Sequence, residues 1–414
     1  MLTLIKTPEQ IVTVNTNGKH FKRGSEMSDI DVLEKHSIVI ENDTIKDIIP
    51  NNTIDKSNYD LTIDAKGKIV LPGLIECHTH TAFAGSRSDE FRLKLQGVHY
   101  EEIAKQGGGI NATVKAVRES SLEELVKIIS PRIDYFISQG ITTLEIKSGY
   151  GLSFDDEIKL LQTIKHLNYN YPIDIIPTFL GAHTYPPEYN NDHQKYLEII
   201  EDELIPYVAE NKLAEFCDAF CEATAFTVDE VDSVFVKAKN AGLKLKLHTE
   251  QFNSIGGLDL ALNMNAVSAD HLEVIKESDI QKFGNSNTTA VLLPGVSFFL
   301  DYDYAPARKL IDNNAIVALA TDYNPGSSHI AELNLIMSLA ALKMGMSIEE
   351  TISAVTINAA KALDINKQVG SIEIGKKADL ALFNTKRCSD IVYSVGKNLN
   401  SLTIKNGKVI YKSN

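Results

Sequence analysis

The chain has 414 residues, of which 43% are apolar and 23% are charged. This is the balance of a globular protein with a sizeable core, and it excludes a disordered, coiled-coil or collagen-like chain. The 41 basic and 55 acidic residues give a net charge of −14. A chain this acidic lacks a general basic surface for nucleic acid or anionic membranes, so an anionic substrate would have to be bound by a few local cations.

The start of the chain predicts no export. The first residues, MLTLIKTPEQIV, place Pro8 and Glu9 where a signal peptide needs an unbroken apolar stretch, and no apolar run is long enough for a membrane span. The four cysteines form no CxxC pair. We therefore expect a cytoplasmic protein with reduced thiols.

Short β-like runs predict one small β-domain built from both chain ends. The N-terminal residues contain HSIVIEND, TIKDII and GKIVLPG, separated by Asn, Asp and Gly. The C-terminal runs SIEIGKKADLALFN and SLTIKNGKVIYK have the same pattern, and Asn406-Gly407 predicts a hairpin turn. The expected β-sandwich comprises residues 1–70 and 365–414, with residues 71–364 inserted as a catalytic domain.

The middle of the chain alternates between strand-like and helical patterns. Eight apolar runs end in polar residues: GLIECHTH, TTLEIKSGY, IDIIPTFLGAH, AEFCDAFCE, LKLKLHTE, NAVSADHLE, TAVLLPG and AIVALATDYNPG. Segments with apolar spacing near 3.6 residues lie between them and predict helices, such as DDEIKLLQTIKHL and VDEVDSVFVKAKNAG. The second of these helices should end at Gly242. Eight such units predict a (β/α)8 TIM barrel. An open doubly wound sheet accommodates them poorly, and no glycine-rich phosphate loop is present.

Candidate metal ligands stand where the predicted strands end, which is the active-site face of such a barrel. His78 and His80 are two residues apart, so both face the same side of an extended strand and can share a metal. Four further runs end in single candidates, namely His183, His248, His271 and Asp322. A third imidazole and a carboxylate from other strands would complete a site with an open position for water.

Each candidate by itself also has an ordinary structural explanation. A single histidine at a strand end is commonly a hydrogen-bonded structural residue, and Asp322 precedes a typical Asn-Pro-Gly turn. The coincidence of five histidines and a carboxylate at one rim nevertheless favours a metal centre. Cys77 should point away from His78 and His80. The other histidines are expected to be structural or on the surface: His20, His36, His99, His166, His193 and His329.

Several segments also resemble a known family. VLPGLIECHTH resembles the first barrel strand of the amidohydrolase superfamily, and VGSIEIGKKADLALF is similar to that superfamily's return into its β-sandwich. A narrower resemblance, to the imidazolonepropionases, covers nearly the whole chain. It rests on the long segments EIKSGYGL and TFLGAHTYPPEY, together with CHTHTAFAGSRSDEFRLKLQG, QGGGINATV, HTEQF, SADHLE and ATDYNPGSS.

The resemblance implies hydrolysis of 4-imidazolone-5-propanoate to N-formimidoyl-L-glutamate in histidine degradation. The metal ligands that it implies are His78, His80, His248 and Asp322. The substrate contacts that it implies are Arg87, Tyr150, His183, Gln251, Asn324, Gly326 and Ser327. Some members have Glu at the position of Gln251, and Gln cannot act as a base. Because the side chain of Glu250 should face the other way, proton transfer is assigned to Asp322 and His271.

We expect one divalent or trivalent metal ion per subunit. No Lys ends the fourth strand, where other superfamily members carry a carbamate that bridges two metals. Sets of imidazole and carboxylate ligands accept zinc or iron. The other expectations are a small-molecule substrate, no nucleic-acid or membrane partner, and a homodimer.

Two alternatives remain at this point. One is another cyclic-amidine hydrolase or a nucleobase deaminase on the same scaffold, against which Arg87 and the Tyr150 loop weigh, because such substrates carry no carboxylate. The other is a non-catalytic barrel that serves as a scaffold, and the complete set of ligands weighs against it.

Overall fold

The computed structural model describes residues 1–55, 58–97 and 108–413. Its strands are β1 (Leu2–Lys6), β2 (Gln10–Val12), β3 (Val32–Leu33), β4 (His36–Glu41), β5 (Thr44–Pro50), β6 (Leu61–Asp64), β7 (Ile69–Pro72), β8 (Leu74–Glu76), β9 (Ile141–Lys147), β10 (Asp174–Ala182), β11 (Phe216–Cys221), β12 (Lys244–Thr249), β13 (Ser268–His271), β14 (Thr289–Leu292), β15 (Ile316–Leu319), β16 (Leu380–Phe383), β17 (Asn400–Lys405) and β18 (Lys408–Lys412). His99, which was expected to be structural or on the surface, lies outside the described residues. So do the first two residues of QGGGINATV.

The α-helices of the described ranges are Ser88–Leu95, Ile110–Glu119, Leu122–Ser138, Phe154–Asn170, His193–Glu198, Ile205–Glu210, Val228–Asn240, Gly257–Asn263, Glu277–Gly284, Pro294–Leu300, Ala307–Asp312, Leu333–Lys343, Ile348–Ala354, Ile357–Ala362 and Ser389–Tyr393. Short 3₁₀ turns are Gly24–Ser28, Asn51–Thr53 and Pro187–Tyr189, and Ile199–Leu204 is π-helical. None of these helices is long and apolar enough to cross a bilayer.

Eight parallel strands, β8 to β15, form one sheet in which neighbours in space are neighbours along the chain. They coincide with the eight apolar runs of the sequence, and the AEFCDAFCE run is the fourth strand, β11. The expected (β/α)8 barrel is confirmed. Almost every residue of these strands is buried, because helices cover the outer face of the sheet and side chains fill its interior.

The barrel closes where its first and last strands end. Thr79 and Tyr323 pair in parallel. The Asp322 amide donates to the His78 carbonyl at 3.1 Å, and the His80 amide donates to the Tyr323 carbonyl at 3.0 Å. The backbone that carries three predicted metal ligands therefore also closes the barrel.

The two helices predicted from apolar spacing are present. Phe154–Asn170 covers one segment, and Val228–Asn240 covers the other. The latter begins with a capping box between Thr227 and Glu230, which satisfies the first free amides of the helix. Gly242 follows it with φ +89°, a conformation that favours glycine and ends the helix where the sequence predicts.

Strands from both chain ends form two further sheets. The sheet β5-β4-β1-β6 comes from the N-terminal residues alone, whereas β18-β17-β16-β7-β2-β3 combines both ends. Apolar side chains of both sheets pack in one cluster, which includes Ile5, Ile38, Val70, Leu382 and Ile404. This is the β-sandwich expected from the two chain ends. The domain boundaries near residues 70 and 365 stay a prediction.

At the C-terminal end of the chain, the predicted hairpin turn is present and one predicted strand is absent. Asn406 and Gly407, with φ of +49° and +74°, form the tight turn between β17 and β18. The expectation of a strand in the SIEI segment is wrong, because only Leu380–Phe383 of that run is a strand. Ile372 instead donates its amide to the Thr13 carbonyl and buries its side chain in the sandwich core.

Candidate metal centre and active site

Four side chains converge at the rim where the barrel closes. His78 and His80 follow β8, while His248 lies in β12 and Asp322 follows β15. Asp322 Oδ1 lies 3.3 Å from Nε2 of both His78 and His80. The Nε2 atoms of His80 and His248 are 3.2 Å apart. The structure thus brings together the four residues expected as ligands, and none is more than 3% exposed.

Hydrogen bonds at Nδ1 of His78 and His248 leave the Nε2 atom of each ring available to bind a metal. His78 Nδ1 lies 2.6 Å from the Asp270 carboxylate, and His248 Nδ1 lies 3.1 Å from that of Asp218. Because a carboxylate only accepts, each Nδ1 carries a hydrogen, and the neutral form of each ring then has its lone pair on Nε2. His78 Nε2 and Asp322 Oδ1 are buried and lack a hydrogen-bond partner. Lone pairs that face each other in a dry interior need a cation between them, and this donor set fits a divalent metal.

Electrostatics at His78 also favour a positive charge. Burial and Lys147 lower the pKa of His78, but the carboxylates of Asp270 and Asp322 outweigh them and raise it to about 9. The same surroundings would stabilise a metal cation, which would take the place of a proton on Nε2. Burial would raise the pKa of Asp322, but His78 and His80 hold it well below its usual range. Asp322 therefore stays an anionic donor.

A layer of charged residues in the barrel interior was not expected from the sequence. Its fully buried members are Glu76, Glu145, Lys147, Asp218, Lys246 and Asp270. Lys147 Nζ lies 2.8 Å from both Glu145 and Asp218. A signal was present, since Lys246 precedes His248 by two residues and so shares its face of the strand. Charged residues at such positions in otherwise apolar strands indicate the barrel interior.

His271 lies at the end of β13, beside the four ligands. Its ring centroid is 5.5 Å from that of His248 and 5.9 Å from that of His78. One of its ring nitrogens lies within 4.8 Å of nitrogens of both rings. Its φ of +86° is a strained value for a residue with a side chain, of the kind that surrounding structure holds at functional sites. The position suits the expected catalytic role and is also near enough for ligation.

Two further side chains expected at the site stand next to His80. The ring of His183 stacks on that of His80 at 5.1 Å, and its Nδ1 donates to the Gly149 carbonyl at 2.8 Å. Burial and His80 lower the pKa of His183 to about 3, so its imidazole is neutral. Tyr150 lies 5.3 Å from His183, ring to ring. Both line the cavity at the mouth of the barrel.

The Glu157 carboxylate organises the loop that carries Tyr150. Its Oε1 accepts hydrogen bonds from the amides of Gly149, Gly151 and Leu152, at 2.7 to 3.1 Å. Gly149 has φ +101°, and an added Cβ would lie 2.8 Å from a backbone carbonyl oxygen. No residue with a side chain fits there. These contacts account for much of the EIKSGYGL segment and hold Tyr150 at the cavity.

A cation shielded from solvent lies in the same cavity, whose volume is about 600 Å³. The Arg87 side chain is 12% exposed, and its Nε donates to Glu90 at 2.9 Å. A Cβ added to Gly326 would overlap Arg87 Nη1, so the guanidinium lies against the backbone of the loop after β15. Arg87 therefore forms an ion pair with Glu90 in the first turn of the following helix, and it also faces the expected substrate site.

The loop after Asp322 forms a polar turn at the cavity wall. Asn324 Nδ2 donates to Asp322 Oδ2 at 3.0 Å and to Ser327 Oγ at 2.8 Å. Asn324 Oδ1 accepts from the amides of Gly326 and Ser327, each at 2.8 Å. All three loop residues line the cavity. The turn expected from Asn-Pro-Gly thus also orients the carboxylate of the proposed ligand.

The remaining wall includes one expected and one unexpected residue. Gln251 lines the cavity, whereas Glu250 is not among the described residues that line it. Lys94 also lines the cavity, and sequence reasoning missed it. Lys94 follows Arg87 by seven residues, or two turns of helix, and this spacing was the available signal.

Comparison with known proteins assigns the family. Residues 69–410 match the model of the amidohydrolase family. The imidazolonepropionase of Alkaliphilus metalliredigens is 43% identical over 412 residues, which cover 98% of this chain and 97% of that relative. The chain belongs to the imidazolonepropionase family. The imidazolonepropionase of Geobacillus kaustophilus is 44% identical over 411 residues, with the same coverage of both chains. Family membership and the donor set at the rim together support a divalent metal ion.

Solved structures of amidohydrolase-like proteins share the fold of this family member. An adenosine deaminase from Xanthomonas campestris with bound zinc has a TM-score of 0.73 at 17% identity and covers 98% of this chain and 92% of that chain. A triazine hydrolase from Arthrobacter aurescens has a TM-score of 0.70 at 15% identity and covers 99% and 95%. At these identities the likeness concerns the fold alone.

Proposed function

We propose that this protein is an imidazolonepropionase, which hydrolyses the ring C–N bond of 4-imidazolone-5-propanoate to N-formimidoyl-L-glutamate in histidine degradation. Membership of the family supports this function. The observation that carries it is a single cavity lined by Arg87 and by His80, His248 and Asp322 of the ligand set. Such a cavity can hold a metal beside the ligand set and a carboxylate beside Arg87. A small cyclic substrate with an anionic tail needs both.

The proposed metal is one zinc or iron ion, held by the ligands His78, His80, His248 and Asp322. An ion held in this way would lower the pKa of a bound water molecule to about 7 and would polarise the attacked carbonyl.

Proton transfer is assigned to residues at the rim. The Asp322 carboxylate accepts the proton of the attacking water and passes it to the ring nitrogen that leaves. Asn324 holds that carboxylate in place, since its Nδ2 donates to Asp322 Oδ2 at 3.0 Å. His271 orients the water or donates to the carbonyl oxygen as negative charge develops there. Gln251 makes a hydrogen bond to the substrate and transfers no proton.

The propanoate tail is assigned to Arg87 and Tyr150. A guanidinium matches a carboxylate with two parallel hydrogen bonds, and the tyrosine hydroxyl adds a third donor. Burial and Asp322 raise the pKa of Tyr150, so its hydroxyl keeps the proton that it donates. The other proposed substrate contacts are His183, Asn324, Gly326 and Ser327. The homodimer and the cytoplasmic location stay predictions.

Turnover of freshly prepared 4-imidazolone-5-propanoate tests the proposal directly. We expect about one metal ion per chain, loss of the substrate's ring absorbance, and formation of formimidoylglutamate. Removal of the metal with a chelator should abolish turnover, and zinc or iron should restore it. Faster hydrolysis of a nucleobase or of a cyclic amidine without a carboxylate would overturn the substrate assignment. A protein without metal or turnover would favour a scaffold.

A further inference from the structure

Two buried carboxylates contact the ligand imidazoles from inside the barrel. Asp218 on β11 lies 3.1 Å from His248 Nδ1, and Asp270 on β13 lies 2.6 Å from His78 Nδ1. Both side chains are fully buried. Neither is among the described residues that line the cavity, so neither is placed to touch the substrate.

Each carboxylate has a buried ammonium group nearby. Lys147 Nζ lies 2.8 Å from Asp218 Oδ2 and 2.8 Å from Glu145 Oε1. Lys246 Nζ lies 3.4 Å from Glu145 Oε1 and 3.9 Å from Asp270 Oδ2. Since an uncompensated carboxylate in a dry interior is costly, these ammonium groups stabilise the carboxylates where they lie. Glu145 joins the two halves into one network beneath the ligands.

We propose that Asp218 and Asp270 are positioning residues of the metal centre, and that Lys147 is the counter-ion that holds Asp218 in place. The inference rests on the metal ligands proposed above. By accepting the Nδ1 hydrogen, each carboxylate fixes the tautomer and the orientation of one imidazole, so that its Nε2 lone pair is directed to the shared donor group. Without that acceptor the ring can turn or carry its hydrogen on Nε2.

A second buried ion pair offers a matched control. Asp379 and Lys405 are 4% and 3% exposed, and their charged atoms lie 2.7 Å apart. This pair joins the start of β16 to β17 in the β-sandwich, and it makes further hydrogen bonds with Asp174 and the Asn406 amide, which are not metal ligands. If Asp218 and Asp270 only stabilise the fold, their replacement should therefore affect zinc binding no more than the replacement of Asp379.

The test measures the zinc affinity of three variants of the whole chain by competition with a chromophoric chelator. The substitutions are Asp218→Asn, Asp270→Asn and the control Asp379→Asn, each of which keeps the side-chain shape and removes the charge. We expect zinc to bind about 10- to 100-fold more weakly to the first two, and with unchanged affinity to the control. The visible spectrum of the cobalt-loaded protein should shift in the same two variants only.

The outcomes separate this inference from the proposed function. A parent protein that binds neither zinc nor iron refutes both. A parent that binds zinc, with Asp218→Asn and Asp270→Asn as tight as the control, refutes the positioning role alone. If a single variant does not fold by circular dichroism, Asp218→Asn combined with Lys147→Met removes both charges together and preserves the volume. Zinc affinity equal to that of the parent in this double variant also refutes the inference.

Discussion

Replacement of Arg87 by lysine should weaken substrate binding and leave the metal centre intact. The Arg87 Nε donates to Glu90 at 2.9 Å, which leaves the terminal nitrogens for a carboxylate in the cavity. A single ammonium cannot keep the Glu90 contact and also make two parallel hydrogen bonds to the propanoate. The loss is one charged hydrogen bond, about 1.5–3 kcal/mol. That corresponds to a rise in KM of about 10- to 150-fold.

The assay compares the propanoate substrate with an analogue whose tail ends in a neutral amide. Arg87→Lys should lose most of the preference for the acid, while metal content and melting temperature stay unchanged. The control is Arg92→Lys on the helix that follows Arg87, where the side chain is 70% exposed and 3.6 Å from Asp89, so no effect is expected. If Arg87→Lys discriminates acid from amide as well as the parent does, the carboxylate is bound elsewhere and Arg87 has no part in recognising it.

Three further substitutions test the site. His248→Ala should remove both metal and activity from a folded barrel, and a full metal complement in this variant, measured by plasma mass spectrometry, would contradict its assignment as a ligand. His271→Ala should keep the metal and lose about 10²–10⁴-fold in kcat; loss of metal instead would make His271 a ligand. Glu157→Gln can keep one oxygen at the place of Oε1, but it puts an NH2 donor in place of Oε2, against the donating amide of Gly149. This variant should lower the free energy of unfolding by about 1–3 kcal/mol and raise KM. Its control is Glu230→Gln, which changes a capping box away from the cavity and should leave KM unchanged.

Local patterns in the sequence determined the architecture and half of the metal centre. The eight strands and their order follow from apolar runs separated by helical periods, because each pattern reflects which faces of an element are covered. The Asn406-Gly407 hairpin follows from two residues that tolerate positive φ. His78 and His80 could be paired because a two-residue spacing fixes a common face whatever the rest of the chain does.

Contacts between distant strands were decided by the tertiary structure alone. The pairing of His248 with Asp218 depends on the stagger of two neighbouring strands, and the pairing of His78 with Asp270 joins two strands that are not neighbours in the sheet. Neither relation can be read from one strand alone. The SIEI segment, strand-like by itself, is not a strand, because its hydrogen bonds are made to other parts of the sandwich. Side-chain alternation is a property of one strand, whereas the distance between two side chains on different strands depends on the register that closure of the whole barrel imposes. Hence the sequence identified most of the residues at the rim, and the fold determined which buried charges support them.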